Sequence, residues 1–167
     1  MTAANIQNAL KVRIEGILKK FPLKTPYNDL TPFKIFKHKL PEQLSDEFDY
    51  SDKGTHELLY PFCVVKINNG SKEANQDMQE TVIDLIFGVE NEGPEGEGYD
   101  DIMACIEAIW GDFNNNPLLA KKYPFKYPLN WALDEEDRHP FYYGGMQLTF
   151  ESHAITDQQQ GGFLHGQ

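Results

Sequence analysis

The densest group of side chains able to do chemistry is the run Asp134-Glu135-Glu136-Asp137-Arg138-His139. Carboxylates and an imidazole could ligate a divalent cation or serve as acid and base, provided their atoms converge on one point. Consecutive residues of an extended turn point in different directions, and no EF-hand or HExxH spacing is present. The run therefore reads as a solvated turn. Gly93, Gly96 and Gly98 stand just before a predicted helix, where a phosphate cradle would lie. The spacing is neither GxGxxG nor that of a P-loop, and Glu92, Glu95, Glu97, Asp100 and Asp101 would repel phosphate. Acids there suit the positive end of the helix dipole instead. The five histidines, His38, His56, His139, His153 and His165, are scattered, and no serine sits in a GxSxG elbow. Cys63 lies inside an apolar run and Cys105 at the edge of a helix stripe; neither belongs to a CxxC pair, so both are expected to be reduced and packed. The residues thus nominate no catalytic group, no cofactor and no metal. A triad can be assembled from distant residues, so this weakens an enzyme reading without removing it.

The elements that must position these residues are legible from periodicity. Ile6, Leu10, Ile14, Ile17, Leu18 and Phe21 recur at helical spacing and predict a helix from Ala4 to Phe21, stopped by Pro22 and Pro26. Residues 26–59 are the least regular part, an arm or long loop expected to order against a neighbour. Within it, Phe33 to Leu40 alternates weakly and could form a short edge strand with exposed lysines. Tyr60 to Ile67 and Glu80 to Val89 are strands. In the second, Thr81, Ile83, Leu85, Phe87 and Val89 point one way and Val82, Asp84, Ile86 and Gly88 the other. Asn68-Asn69-Gly70 supplies the positive-φ residues of a turn, and Ser71 to Gln79 a mobile tip. Tyr99 to Asn115 is an amphipathic helix with Tyr99, Ile102, Met103, Ile106, Ile109, Trp110 and Phe113 on one stripe. Pro124 to Leu133 and Tyr142 to Glu151 complete a hairpin, the first strand being an edge or bulged at Pro128.

A chain of 167 residues is about one domain. We expect that domain to span residues 1–155, with a frayed tail at 156–167. The net charge of −11 argues against a phosphate-binding surface as the main function and against an anionic membrane partner. The N-terminus lacks a signal-peptide pattern, no apolar run is long enough for a membrane span, and the sequon at Asn69 reads as a turn. The expected fold is α+β: a mostly antiparallel four-stranded sheet, two helices packed on one face, and a long N-terminal loop excursion.

The ordered blocks Tyr60-Pro-Phe-Cys-Val-Val-Lys-Ile67, Thr81-Val-Ile-Asp-Leu-Ile-Phe-Gly-Val89, Gly98-Tyr-Asp-Asp-Ile102, Asn116-Pro-Leu118, Tyr127-Pro-Leu-Asn-Trp131 and Pro140-Phe-Tyr-Tyr-Gly-Gly-Met146 carry a resemblance. Together with Phe36-Lys-His-Lys-Leu-Pro41 upstream, they resemble the siphophage tail terminator, or tail completion, family akin to minor tail protein U. The resemblance covers roughly residues 33 to 153. It implies a structural role with no catalytic residues: a six-fold ring of identical subunits on the head-proximal end of the tail tube, which stops tube polymerisation and presents a surface to the head. The implied partners are further copies of the chain in a homohexamer, the tail tube protein and the head-tail connector or head completion protein. The implied location is the neck region of the virion tail, and the host cytoplasm during assembly. A strongly negative ring would let genomic DNA pass through its lumen without specific binding. Asp84, Glu90, Asp134, Glu135, Glu136 and Asp137 are candidate interface residues. The alternatives are a head completion or other neck protein, a cellular protein-binding module, and an acidic hydrolase with a dispersed site.

Overall fold

The alternation from Glu80 to Val89 is realised as the centre of a six-stranded sheet. The computed structural model describes residues 2–41, 53–74 and 78–153. In chain order the elements are α1 (Thr2–Leu18), β1 (Lys34–Lys37), α2 (Lys53–Leu59), β2 (Phe62–Ser71), β3 (Gln79–Glu90), α3 (Glu97–Asn115), β4 (Leu118–Leu119), β5 (Tyr123–Leu133) and β6 (Phe141–Ser152). The strand order is β1-β2-β3-β6-β5-β4. β1 runs parallel to β2, with Lys34 opposite Phe62 and Lys37 opposite Val65; the other pairs are antiparallel. The sheet curls into a half-barrel.

This corrects the expected four-stranded, mostly antiparallel sheet with two helices and a loop excursion: among the described residues the sheet has six strands, is mixed, and comes with three helices. The elements beyond that count are short, and of them only β1 is anticipated, as the edge strand within Phe33 to Leu40. The excursion holds β1 and α2, of four and seven residues, and β4 has two. Such lengths show too few periods to register clearly in a hydrophobic pattern. The parallel pairing follows from connectivity, because the chain leaves β1, passes through α2 and returns to β2 in the same direction.

The main core lies between the sheet and two helices. α1 buries Ile6, Leu10, Ile14, Ile17 and Leu18, and α3 buries Ile102, Cys105, Ile106, Ile109 and Phe113. They pack on Cys63 and Val65 of β2, on Ile83, Leu85, Phe87 and Val89 of β3, and on Met146, Leu148 and Phe150 of β6. A smaller cluster of Leu59, Tyr60, Phe62 and Val64, with Phe36, Leu40, Phe141 and Tyr143 around it, covers the opposite face near the start of β2. Burial on both faces explains why Phe62 to Val65 is continuously apolar instead of alternating. Gln7, buried on α1, donates to the Val65 carbonyl at 2.9 Å and ties the helix to β2.

Several local expectations shift. α1 ends before Phe21, which is 39% exposed, and Trp110 on α3 is 43% exposed, so both stripes are narrower than their apolar residues suggest. Asn68 to Gly70 belong to β2 rather than to a turn, and an irregular register between Ile67 and Asn69 carries the strand on to Ser71 opposite Glu80. A second irregularity separates Lys126 from Asn130, around Pro128. Such bulges bend and twist a sheet. The acidic run at residues 45–52, the centre of the hairpin tip at 75–77 and the tail at 156–167 lie outside the described residues.

Candidate functional site

Arg138 neutralises part of the acidic turn after β5. Arg138 Nε donates to Asp134 Oδ2 at 2.9 Å, its Nη2 donates to Glu136, and the Glu136 N–H donates to Asp134 Oδ1 at 3.2 Å. The backbone donor first, then Arg138, hold the Asp134 carboxyl below the usual carboxylate range. His139 Nδ1 lies 2.8 Å from the Tyr142 hydroxyl. Glu135 and Asp137 remain exposed and help line a shallow cleft of about 380 Å³ against Pro94 and Glu95.

The glycine loop after β3 packs beside this turn, because the Asn91 N–H donates to the Pro140 carbonyl at 2.9 Å. Asn91 also organises the loop itself. Its Oδ1 accepts from the Gly93 N–H at 2.8 Å and its Nδ2 donates to Asp101 Oδ2 at 2.9 Å. Gly96, at φ 71°, supplies the left-handed residue from which α3 starts. Burial raises the Asp101 carboxyl, with the Asn91 hydrogen bond opposing. A larger cleft of about 720 Å³ lies between this loop and the segment after α1, lined by Lys24, Tyr27, Asp29, Glu92, Glu97 and Asp101 among others. The fold therefore gathers two acidic runs some 40 residues apart in sequence, and Asp29, at one end of the sheet. Among the described residues, no group of three or more His, Cys, Asp or Glu is placed to hold a metal ion.

Asp84 and Glu90 part company. Asp84 stands on the sheet face away from α1 and α3, where its oxygens accept from Gln147 Nε2 at 3.0 Å and Asn68 Nδ2 at 2.6 Å. A groove of about 280 Å³ runs beside it, floored by Gly145 and flanked by Ile86, Asn130, Ala132 and Gln147. Further along this face Lys126 pairs with Glu80 at 3.0 Å and with Glu151. Glu90, by contrast, is only 5% exposed. It reaches no partner surface directly and instead meets Tyr27 and His56, a contact that scattered histidines in a sequence do not announce.

One feature escaped sequence reasoning. Trp110 and Tyr127, half-exposed, line the rim between α3 and β5, where Tyr127 donates to Asn114 Oδ1 at 2.9 Å, and Trp131, also half-exposed, stands further along β5. Helical periodicity places Trp110 on the packed stripe of α3, but its ring stands at the surface. Among the described residues, β1 ends the sheet on one side, as the alternation of Phe33 to Leu40 suggests, and β4 covers only Tyr123 and Pro124 of β5 on the other, which leaves the rest of β5 as an edge.

Both thiols are buried and free. Burial raises the Cys63 thiol well above its ordinary value and pushes that of Cys105 up to about 12, so neither is an activated nucleophile. Among the described residues, no helix is long and apolar enough to cross a membrane. No protein-family model matches the chain, and no curated protein matches it significantly. What the geometry offers is surface: a partly open sheet face, two open sheet edges, an acidic end and an aromatic rim.

Proposed function

We propose that the chain is a structural assembly protein of the tail terminator type, which caps the head-proximal end of a phage tail tube as a ring of identical subunits. The observation that carries this reading is the fit between resemblance and architecture. The resembling blocks fall in order on β2, β3, the start of α3, β4, β5 and β6, so they trace one contiguous scaffold and not scattered loops. The surfaces support it too. A ring needs two different faces on each subunit that meet head to tail. The open edges lie at opposite sides of the sheet and differ in character, one carrying Lys34 and Lys37, the other flanked by Tyr127 and Trp131. Tyr and Trp are the residues that most often anchor protein interfaces.

Deletion of the gene tests the proposal by negative-stain electron microscopy. Overlong tail tubes and unjoined heads are the expected outcome. Tails of normal length beside unjoined or emptied heads would favour a neck protein instead. Normal virions would end the assembly reading altogether.

A further inference from the structure

Three segments distant in sequence meet in a buried polar knot at the end of β3. Glu90 Oε1 accepts a hydrogen bond from the Tyr27 hydroxyl at 3.1 Å and lies 3.9 Å from Nδ1 of His56. His56, on α2, is itself 6% exposed and stands edge-on to the Phe141 ring at 4.9 Å. Glu90 Oε2 is buried with no hydrogen-bond partner. An ionised carboxylate in this position loses water on one oxygen and regains nothing for it. A proton on the carboxyl removes the charge and with it most of that cost.

We propose that the Glu90 carboxyl, set between Tyr27 and His56, is a proton-operated latch that holds α2 on the sheet, tight while the carboxyl keeps its proton and loosened when the proton leaves. Its contact with His56 joins α2 to β3, and Tyr27 adds the segment between α1 and β1. Other charged or titratable groups close by are Glu57 on α2, Glu92 after β3, Lys34 on β1 and Tyr143 on β6. Glu92 and Glu57 add negative charge and favour retention of the proton. Lys34 is occupied at the carboxyl end of α2, donating to the carbonyls of Glu57 at 3.1 Å and Tyr60 at 2.9 Å. The Tyr143 hydroxyl lies 2.6 Å from that of Tyr60. The latch covers the second apolar cluster, so its release would uncover Phe62, Phe141 and their neighbours.

Burial is the main influence on Glu90 and raises its carboxyl above the ordinary 4.5, against the opposing Tyr27 and His56 contacts. A raised value in the closed form means that the latch contributes fully below the ordinary glutamate range. Its contribution is lost as pH rises through the raised value.

Hydrogen exchange of the full chain, read on peptides covering Lys53 to Leu59 from pH 5 to pH 8 and corrected for intrinsic chemistry, tests this. Wild-type protection of α2 should fall at least about threefold as pH rises while α3 stays unchanged. Glu90→Gln keeps an acceptor for Tyr27 but cannot ionise, and should flatten the profile. The same pH profile in both proteins, or a parallel loss in α3, would overturn the latch. If Glu90→Gln does not fold, carbon NMR of the Glu90 carboxyl in the wild-type chain decides. A midpoint above 4.5 that moves together with the α2 amides supports the latch, and a midpoint at 4.5 or one silent at α2 overturns it.

Discussion

Arg13 reaches from α1 to the carbonyl end of α3. Its Nε donates to Asp112 Oδ2 at 2.7 Å, its Nη1 to the Leu118 carbonyl at 3.1 Å, and its Nη2 to the carbonyls of Asp112 and Asn116. Its guanidinium lies 3.8 Å from the centre of the Phe113 ring. One planar fork thus ties together the carbonyls of the last helical turn, the cap and the start of β4, and places a cation where the dipole is negative. Arg13→Ala should cost about 2–4 kcal/mol in urea denaturation, and Arg13→Lys should recover less than half, because an ammonium cannot reproduce the fork. Gly98 makes an opposite kind of demand: a Cβ there would run into the Tyr142 ring. That ring is held at its hydroxyl by His139, so Gly98→Ala should lower stability by about 1–3 kcal/mol in thermal melts. Cys105, raised to about 12, and the fully buried Cys63 should react with a disulfide reagent at pH 8 at least about 1,000-fold more slowly in the native chain than in urea. Rapid labelling of either thiol without unfolding would contradict the packing described.

At the scale of elements, β1 is the test case. The N–H groups of Lys34 and His38 donate to the carbonyls of Pro61 and Val65, so alternate residues of the strand face β2 and Lys37 presents its N–H to the open edge. Lys37→Pro should therefore cost under about 1 kcal/mol, whereas Phe36→Pro should cost about 3 kcal/mol more than Phe36→Ala, because it removes a ladder donor. Equal losses for both prolines would mean that the edge is not open. The same strand shows where sequence reading reaches its limit. The long elements are legible because Ile83, Leu85 and Phe87, or Ile102, Ile106 and Ile109, repeat a period several times over. The bulge at Pro128 is legible as well, since proline cannot donate to a ladder. α2 and β4 hide because two to seven residues fit either period, and β1 shows only as a weak alternation. The parallel pairing of β1 depends on α2, so missing one miscounts the other. The candidate site divides in the same way: Asp84 shows in a strand as the polar member of an apolar alternation, but the burial of Glu90 depends on Tyr27, His56 and Phe141, which only the tertiary fold brings together.

At the scale of the whole molecule, charge dominates. With a net charge of −11 and two acidic runs gathered at one end, the native chain repels itself. Added salt should raise the melting temperature at pH 8, and so should lowering the pH towards 6. Glu90 and Asp101 point the same way. Both carboxyls are raised by burial, so each contributes more stability at lower pH and loses it as pH rises through the raised value. Asp134 is lowered instead and acts only in the acid range beneath this window. A melting temperature indifferent to salt would mean that the acidic end is already compensated within the monomer. In a ring, the compensation would come from a neighbouring subunit, and six copies of a 19.2 kDa chain would have a mass of about 115 kDa. A chain that stays monomeric until it meets a tube end is equally consistent with termination, so mass alone does not decide the role. The most direct measurement adds the purified protein to tail tube protein as it polymerises and records tube lengths by electron microscopy. Short tubes carrying extra density at a single end are predicted, with length falling as the protein is increased; lengths unchanged at saturating protein, with bare ends, would contradict the account.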